Sequence, residues 1–107
     1  MNFTEEELKT IARVAGVEVK GMFAGAFYVV ERDALGTFLN TYKYTPDSGD
    51  DLIQLQEAIL KRFGRIKITD LHNGKISVRL GESRGIDPHY GTAWCKLALE
   101  IGKETEE

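Results

Sequence analysis

The segment RIKITDLHNGKISVRLG, residues 65–81, constrains the fold more than any other stretch of this chain. It alternates apolar and polar residues on both sides of an Asn-Gly step, a strong short-range signal for a β-hairpin. A two-residue turn at Asn73-Gly74 would pair Ile68 with Arg79 and Leu71 with Ile76, so each face would mix apolar and charged groups. A three-residue loop, His72-Asn73-Gly74, separates them. It pairs Ile66 with Leu80 and Ile68 with Val78, leaving Ile76 opposite Asp70. The other face then carries Lys67 with Arg79, Thr69 with Ser77 and Leu71 with Lys75. A one-residue slip moves every side chain to the opposite face, so the three-residue loop is the expected register, with Gly74 as its left-handed bulge residue.

Three helices are expected around this hairpin. Thr4 and Glu7 form a T-x-x-E capping box, Phe3 and Leu8 occupy the positions of a hydrophobic staple, and Gly16 suits the C-terminal cap. These signals bound a first helix from about Glu5 to Ala15. In the second, Leu52, Leu55, Ile59 and Phe63 make one stripe flanked by Ile53 and Leu60, and Gly64 ends it. Gln56 lies within that stripe, its amide expected to bond a strand or another chain. In the last, Tyr90, Trp94, Leu97, Ala98 and Ile101 make a clean apolar face, on which Trp94 should be buried. Asp87-Pro88 would be its cap and first residue, with Thr92 as the alternative cap, and Gly102 would stop it. Phe27–Arg32 and Thr37–Tyr42 read as a further hairpin around the turn DALG, with Asp33 bonding the backbone. MFAGAF has no firm place.

The resulting expectation is one α+β domain spanning 1–107, with order α-β-β-α-β-β-α. It is ordered over about 3–102 and ends in a frayed acidic tail. Helices cover an antiparallel or mixed sheet in a sandwich, with parallel pairing between the hairpins open because a helix joins them. At 107 residues a real core needs no staple. The single cysteine, Cys95, excludes an internal disulfide and a multi-cysteine zinc site. The acidic start MNFTEEELK has no apolar run behind it, and no stretch has a membrane span's roughly 18 apolar residues. A cytoplasmic protein is expected, with no membrane contact.

Several segments resemble chemistry and then depart from it. GESRG, residues 81–85, fits the G-x-S-x-G pattern of a nucleophile elbow. Ile86-Asp87-Pro88 interrupts any helix starting at Ser83, and the only later histidine, His89, is six residues away. Ser83 therefore reads as part of a glycine-flanked loop from strand to helix. TPDSGDD resembles a calcium loop, but Leu52 stands where glycine is required and Ala58 where a glutamate should bind. Its acidic residues suit a helix N-terminus instead. His89 and Cys95 fall on different sides of a helix, and no cluster has metal spacing. No catalytic residue, metal or cofactor is assigned.

Charge is the remaining lead. The net charge is −3, yet residues 61–84 carry seven basic and two acidic side chains. Arg65, Lys67, Lys75 and Arg79 point the same way in the expected register, and Lys61, Arg62 and Arg84 flank them. Such a face is either a nucleic-acid footprint or a solvated surface kept basic against aggregation.

Two segments together resemble the phage ABA sandwich family of small phage and prophage proteins. YKYTPDSGDDLIQLQEAI is similar to that family's aromatic, turn, acidic loop and leucine-spaced helix, and GTAWCKLALEIGKE to its closing helix. The opening helix with AGVEVKG also fits. The sequence departs at the turn, where Pro46 stands two residues before Ser48 rather than just after the aromatic. The resemblance implies helices packed about a sheet and a phage or prophage origin, and it supplies no catalytic residues. The expectation is a non-enzymatic accessory protein that binds a protein partner, itself included. The alternative is a nucleic-acid-binding module using Arg65, Lys67, Lys75, Arg79 and Arg84.

Overall fold

The computed structural model describes residues 3–105, and its α+β layout is the one expected, with a third strand added to each half. The first helix, α1 (Glu5–Ala15), begins and ends where its caps require. The Thr4 hydroxyl accepts from the Glu7 amide at 3.2 Å, and the Glu7 carboxylate accepts from the Thr4 amide at 2.9 Å. Leu8, Ile11, Ala12, Val14 and Ala15 are its buried side chains.

Two units of the same order follow, each with three strands and then a helix. The first contains β1 (Glu18–Phe23), β2 (Ala26–Arg32), β3 (Phe38–Lys43) and α2 (Gly49–Phe63). The second contains β4 (Lys67–Asp70), β5 (Ile76–Leu80), β6 (Ser83–Asp87) and α3 (Tyr90–Thr105). Each strand trio is an antiparallel meander, β1-β2-β3 as sheet A and β4-β5-β6 as sheet B. The expected single sheet is thus two, and the two hairpins do not pair.

Both added strands enter through tight turns. Ala24 and Gly25 join β1 to β2 with φ of 50° and 79°. Positive φ at both central positions is the type I′ pattern, whose twist suits a hairpin. Gly81 joins β5 to β6 with φ 60°, in the first-position glycine pattern of a type II′ turn. GESRG is therefore a turn followed by an antiparallel strand, and the expected loop from strand to helix is corrected. The β4–β5 register is the expected one, pairing Lys67 with Arg79, Ile68 with Val78, Thr69 with Ser77 and Asp70 with Ile76.

Sheet B lies directly on α3. A Cβ on Gly85 of β6 would come 2.0 Å from the Ala93 carbonyl oxygen and 2.4 Å from the Leu97 amide nitrogen, so strand and helix backbones meet without an intervening side chain. The helix makes one more such approach, Gly91 against the Asp47 backbone, while Gly102 leaves room for the Thr10 side-chain methyl of α1. Gly102 is consequently a packing residue within α3, which continues to Thr105 rather than ending there. The part of the expected frayed tail at Glu106 and Glu107 lies outside the described residues. Asp87 is the last residue of β6, not the helix cap. That role falls to His89, whose Nδ1 accepts from the Thr92 amide at 3.2 Å, while Asp87 Oδ1 accepts from the His89 amide at 2.9 Å.

The core joins α1, α3, the inner residues of both sheets and one side of α2. Ile11, Val29, Leu55, Ile59, Val78, Cys95 and Leu97 are fully buried, and Trp94 is buried as its helix face predicts. The expected α2 stripe is only partly inside. Leu55 and Ile59 are buried, while Ile53, Leu60 and Phe63 are exposed, with the Arg62 guanidinium 5.2 Å from the centre of the Phe63 ring. The Gln56 amide donates to the Tyr90 hydroxyl of α3 at 3.0 Å rather than to a strand. No helix among the described residues is long and apolar enough to cross a membrane.

Candidate functional site

Ser83, the residue that raised the question of catalysis, opens β6 opposite Leu80 and is buried. A nucleophile elbow presents its serine on an exposed strand-to-helix turn, and Ser83 is not so placed. Cys95 is buried too, and that burial, with the nearby Asp47 carboxylate, pushes its thiol up to about 12. It is held as an unreactive thiol. His89 is committed to capping α3 and lies in a polar pocket with Asp47, Asp87, Thr92 and Lys96. There the Lys96 ammonium meets Asp87 Oδ2 at 2.8 Å and, with the His89 amide, holds the Asp87 carboxyl below the usual range. Among the described residues no group of three or more His, Cys, Asp or Glu side chains is placed to hold a metal.

The basic face is assembled, and β6 changes it. Residues paired across strands share a face, so Lys67↔Arg79 and Arg79↔Arg84 set three cations in one row across the whole width of sheet B. Thr69, which is exposed, the buried Ser77 and the half-buried Ile86 form the next row. Lys75 immediately precedes β5 and Arg65 precedes β4, each in the same alternation. All five basic side chains are exposed, and none has an ion-pair partner among the described residues. Arg79 is anchored by a 2.6 Å hydrogen bond from its Nε to the Gly81 carbonyl. Arg65, Lys67 and Arg79 also line one wall of a groove of about 700 Å³ closed by Leu60, Gly64, Ile66 and Gly81. All five residues predicted from the sequence thus belong to one surface, and Arg84 is brought into its main row by a strand the sequence did not announce.

A second surface was not foreseen. In sheet A, β2 and β3 extend beyond the core as an arm, and every residue from Glu31 to Asn40 is exposed. Leu35 at its tip is 92% exposed, and Phe38 and Leu39 are 55% and 54% exposed. The tip is nonetheless built. Asp33 Oδ1 accepts from the amides of Leu35 and Thr37, each at 2.9 Å, as the DALG turn predicted. The Arg32 guanidinium donates to the Gly36 carbonyl at 3.0 Å and to both carboxylate oxygens of Glu18 across the sheet. Phe23 and Met22 of β1 are exposed as well, Phe23 lying edge-on to Tyr28 at 6.1 Å. One signal was available: Phe38 and Leu39 are adjacent, so a strand must turn them to opposite faces, and a single sheet face cannot bury both.

Behind the arm a polar cleft of about 700 Å³ separates sheet A from the first turns of α2, lined by Glu18, Arg32, Tyr42, Asp50, Asp51 and neighbours. Asp51 is buried and accepts from the Thr45 amide at 2.9 Å and its hydroxyl at 3.3 Å. Burial and that carboxylate raise the Tyr42 hydroxyl above its ordinary value. Asp51 thereby fastens the turn before α2, a structural duty. No family model, curated protein or solved structure matches the chain.

Proposed function

We propose that this protein is a non-enzymatic accessory protein, of phage or prophage origin as the resemblance to the ABA sandwich family implies, that docks a protein partner on the arm of sheet A. The observation that carries the reading is Leu35, 92% exposed on a turn fixed by two Asp33 hydrogen bonds. Single exposed apolar residues are ordinary, but a group of them on one projecting element marks an interaction site. Leu35, Phe38 and Leu39 form such a group at the tip, while the exposed Met22 and Phe23 stand at the other end of sheet A beside the β1–β2 turn. A tip already ordered before binding gives up little entropy on docking.

Site-specific photo-crosslinking tests the reading. A benzophenone side chain at position 35 should yield one discrete protein adduct in host cells. Adding Phe38→Ser should abolish that adduct while leaving the circular dichroism unchanged. A smear of adducts indifferent to Phe38→Ser would refute the docking role.

A further inference from the structure

We infer that the outer face of sheet B is a second binding surface, for the phosphate backbone of double-stranded nucleic acid. It rests on an observation independent of the arm. Lys67, Arg79 and Arg84 stand side by side across three strands, with neighbouring Cβ atoms about 4.5–5.5 Å apart in such pairs. Like charges directly opposite one another destabilise a sheet. A basic row kept only to discourage edge-to-edge aggregation would sit on the edge strands, β4 and β6. Arg79 is on the central strand, where an edge-protecting charge has no purpose, so the row's cost needs another return. The compensating carboxylates are absent from this face. Asp70 alternates to the opposite side with Ile68 and Val78, and Glu82 lies in the turn.

The chemistry of the face selects the ligand. Three to five cations with Thr69 beside them match a line of phosphates, which accept hydrogen bonds from Arg, Lys and hydroxyl groups. The Nε bond of Arg79 to Gly81 fixes that side chain and leaves its two terminal nitrogens for a phosphate fork. No aromatic residue lies on the face: its positions are Lys67, Thr69, Leu71, Lys75, Ser77, Arg79, Arg84 and Ile86. Single-strand binders need aromatic platforms for the bases, so a backbone presented on the outside of a duplex is the better fit. Contacts limited to phosphates read no sequence. The acidic remainder of the chain, net −3 overall despite this block, turns the basic face toward the polyanion.

The test is a fluorescence titration of the full-length protein with a 24-base-pair DNA duplex at about 50 mM salt, where such contacts are strong. Binding should be indifferent to sequence. Three phosphate contacts give a salt slope near −2.7, so affinity should fall about 40-fold between 50 and 200 mM salt. Arg84→Gln should flatten the slope by about 0.9, and the triple change of Lys67, Arg79 and Arg84 to Gln should abolish binding. The triple variant should melt no lower than the wild type, because it removes the row's repulsion. Changing Lys9, Lys20 and Lys43 to Gln lowers net charge equally from elsewhere on the molecule and should leave binding intact. The inference is overturned if the wild type shows no salt-dependent binding, or if the Lys9, Lys20 and Lys43 variant weakens it as much as the sheet-B variant. It is equally overturned if a single strand of the same length binds as tightly as the duplex.

Discussion

Sheets A and B have the same strand order and are each followed by a helix, yet only one is covered by that helix. Chain reversal after β6 lays α3 on sheet B, with Gly85 permitting backbone contact. After β3 the chain passes through Tyr44 and Pro46, both buried, and α2 packs on α1 and α3 instead. Sheet A therefore meets the core only through residues such as Phe27, Val29 and Val19, and the cleft beside Asp51 opens where a covering helix would lie. A meander of three strands needs a buried face to be stable. Sheet B has one over β5 and β6, where α3 lies, although all four residues of β4 are exposed, and its outer face carries charge. Sheet A has one along half its length, and the other half survives as an arm because Asp33 and Arg32 satisfy backbone groups of its turn and the Glu18–Arg32 side-chain pair ties β1 to β2.

The contrast is broken most severely at Gly85. Replacing it with Ala puts a methyl group 2.0 Å from the Ala93 carbonyl and 2.4 Å from the Leu97 amide, both backbone atoms that cannot rotate away. Helix and sheet must separate, and stability should drop by about 3 kcal/mol or more, at the upper end for overpacking. Urea denaturation measures this. A loss below about 1 kcal/mol, the range of a minor adjustment, would mean that sheet B is no more firmly covered than sheet A.

Ion pairs sharpen the comparison at a smaller scale. Asp87 and Lys96 clip β6 to α3 at 2.8 Å, with the Lys96 ammonium also donating to the Ile86 carbonyl at 3.3 Å. Glu18 and Arg32, also 2.8 Å apart, join two strands of the same exposed sheet. Both carboxyls are held below their ordinary values, Asp87 chiefly by the Lys96 hydrogen bond and Glu18 chiefly by that of Arg32. A carboxyl lowered by folding stabilises when ionised. Its contribution is complete above the unfolded value near 4 and disappears as pH falls through the lower folded value. Asp87→Asn should therefore cost about 1 kcal/mol at pH 7, with the gap to the wild type closing below about pH 4. Glu18→Gln should leave global stability almost unchanged, since its pair is exposed on both sides and fastens no helix. Thermal melts from pH 7 to pH 2 distinguish the two, and equal losses would place sheet A's pair on the same footing as sheet B's clip.

The arm's own fastening should be felt only locally. Asp33→Ala removes two 2.9 Å hydrogen bonds to the amides of Leu35 and Thr37. Each is worth about 1 kcal/mol, so exchange of these amides should accelerate about tenfold or more while the melting temperature shifts little. Amide exchange followed by NMR would show it. A large fall in melting temperature would instead mean that the arm folds as one unit with the core.

What the sequence disclosed follows from this same asymmetry. Elements with one uninterrupted signal were legible: the Thr4–Glu7 capping box, the end of α2 at Gly64, and the β4–β5 register, which face sorting alone determines. The two missed strands lack such a signal. β1 contains Gly21 and a register shift between Val19 and Gly21, and its turn uses Ala24 where Asn or Asp would announce a type I′ hairpin. β6 reads Ser-Arg-Gly-Ile-Asp, poor in β-formers, because Gly85 is selected for helix contact rather than for strand propensity. The five basic residues were legible because charge requires no tertiary knowledge. The pairing of Lys67 with Arg79 on one face was legible from the register, whereas the entry of Arg84 into the same row was not, because it depends on β6. The arm was invisible for a related reason. DALG identified the turn, but only the position of α2 decides that nothing covers the strands leading to it.

The smallest expected effect bears most directly on why the arm exists. Leu35→Ser replaces a side chain that is 92% exposed, at a tip held by backbone and Asp33 bonds that the substitution leaves in place. Such a surface change should alter stability by no more than about 0.5 kcal/mol, and the direction should favour the serine in solubility, since an exposed leucine gains nothing from folding. The same change at Leu55, fully buried in α2, removes an entire core side chain and should cost about 2–5 kcal/mol. Paired urea melts would measure both. If Leu35→Ser destabilises the isolated protein by more than about 1 kcal/mol, well beyond the ordinary surface range, the leucine is packing against its own chain and the arm serves the fold. If stability is unchanged, selection for folding does not explain a leucine, a phenylalanine and a second leucine at 35, 38 and 39. The proposed contact with another protein would.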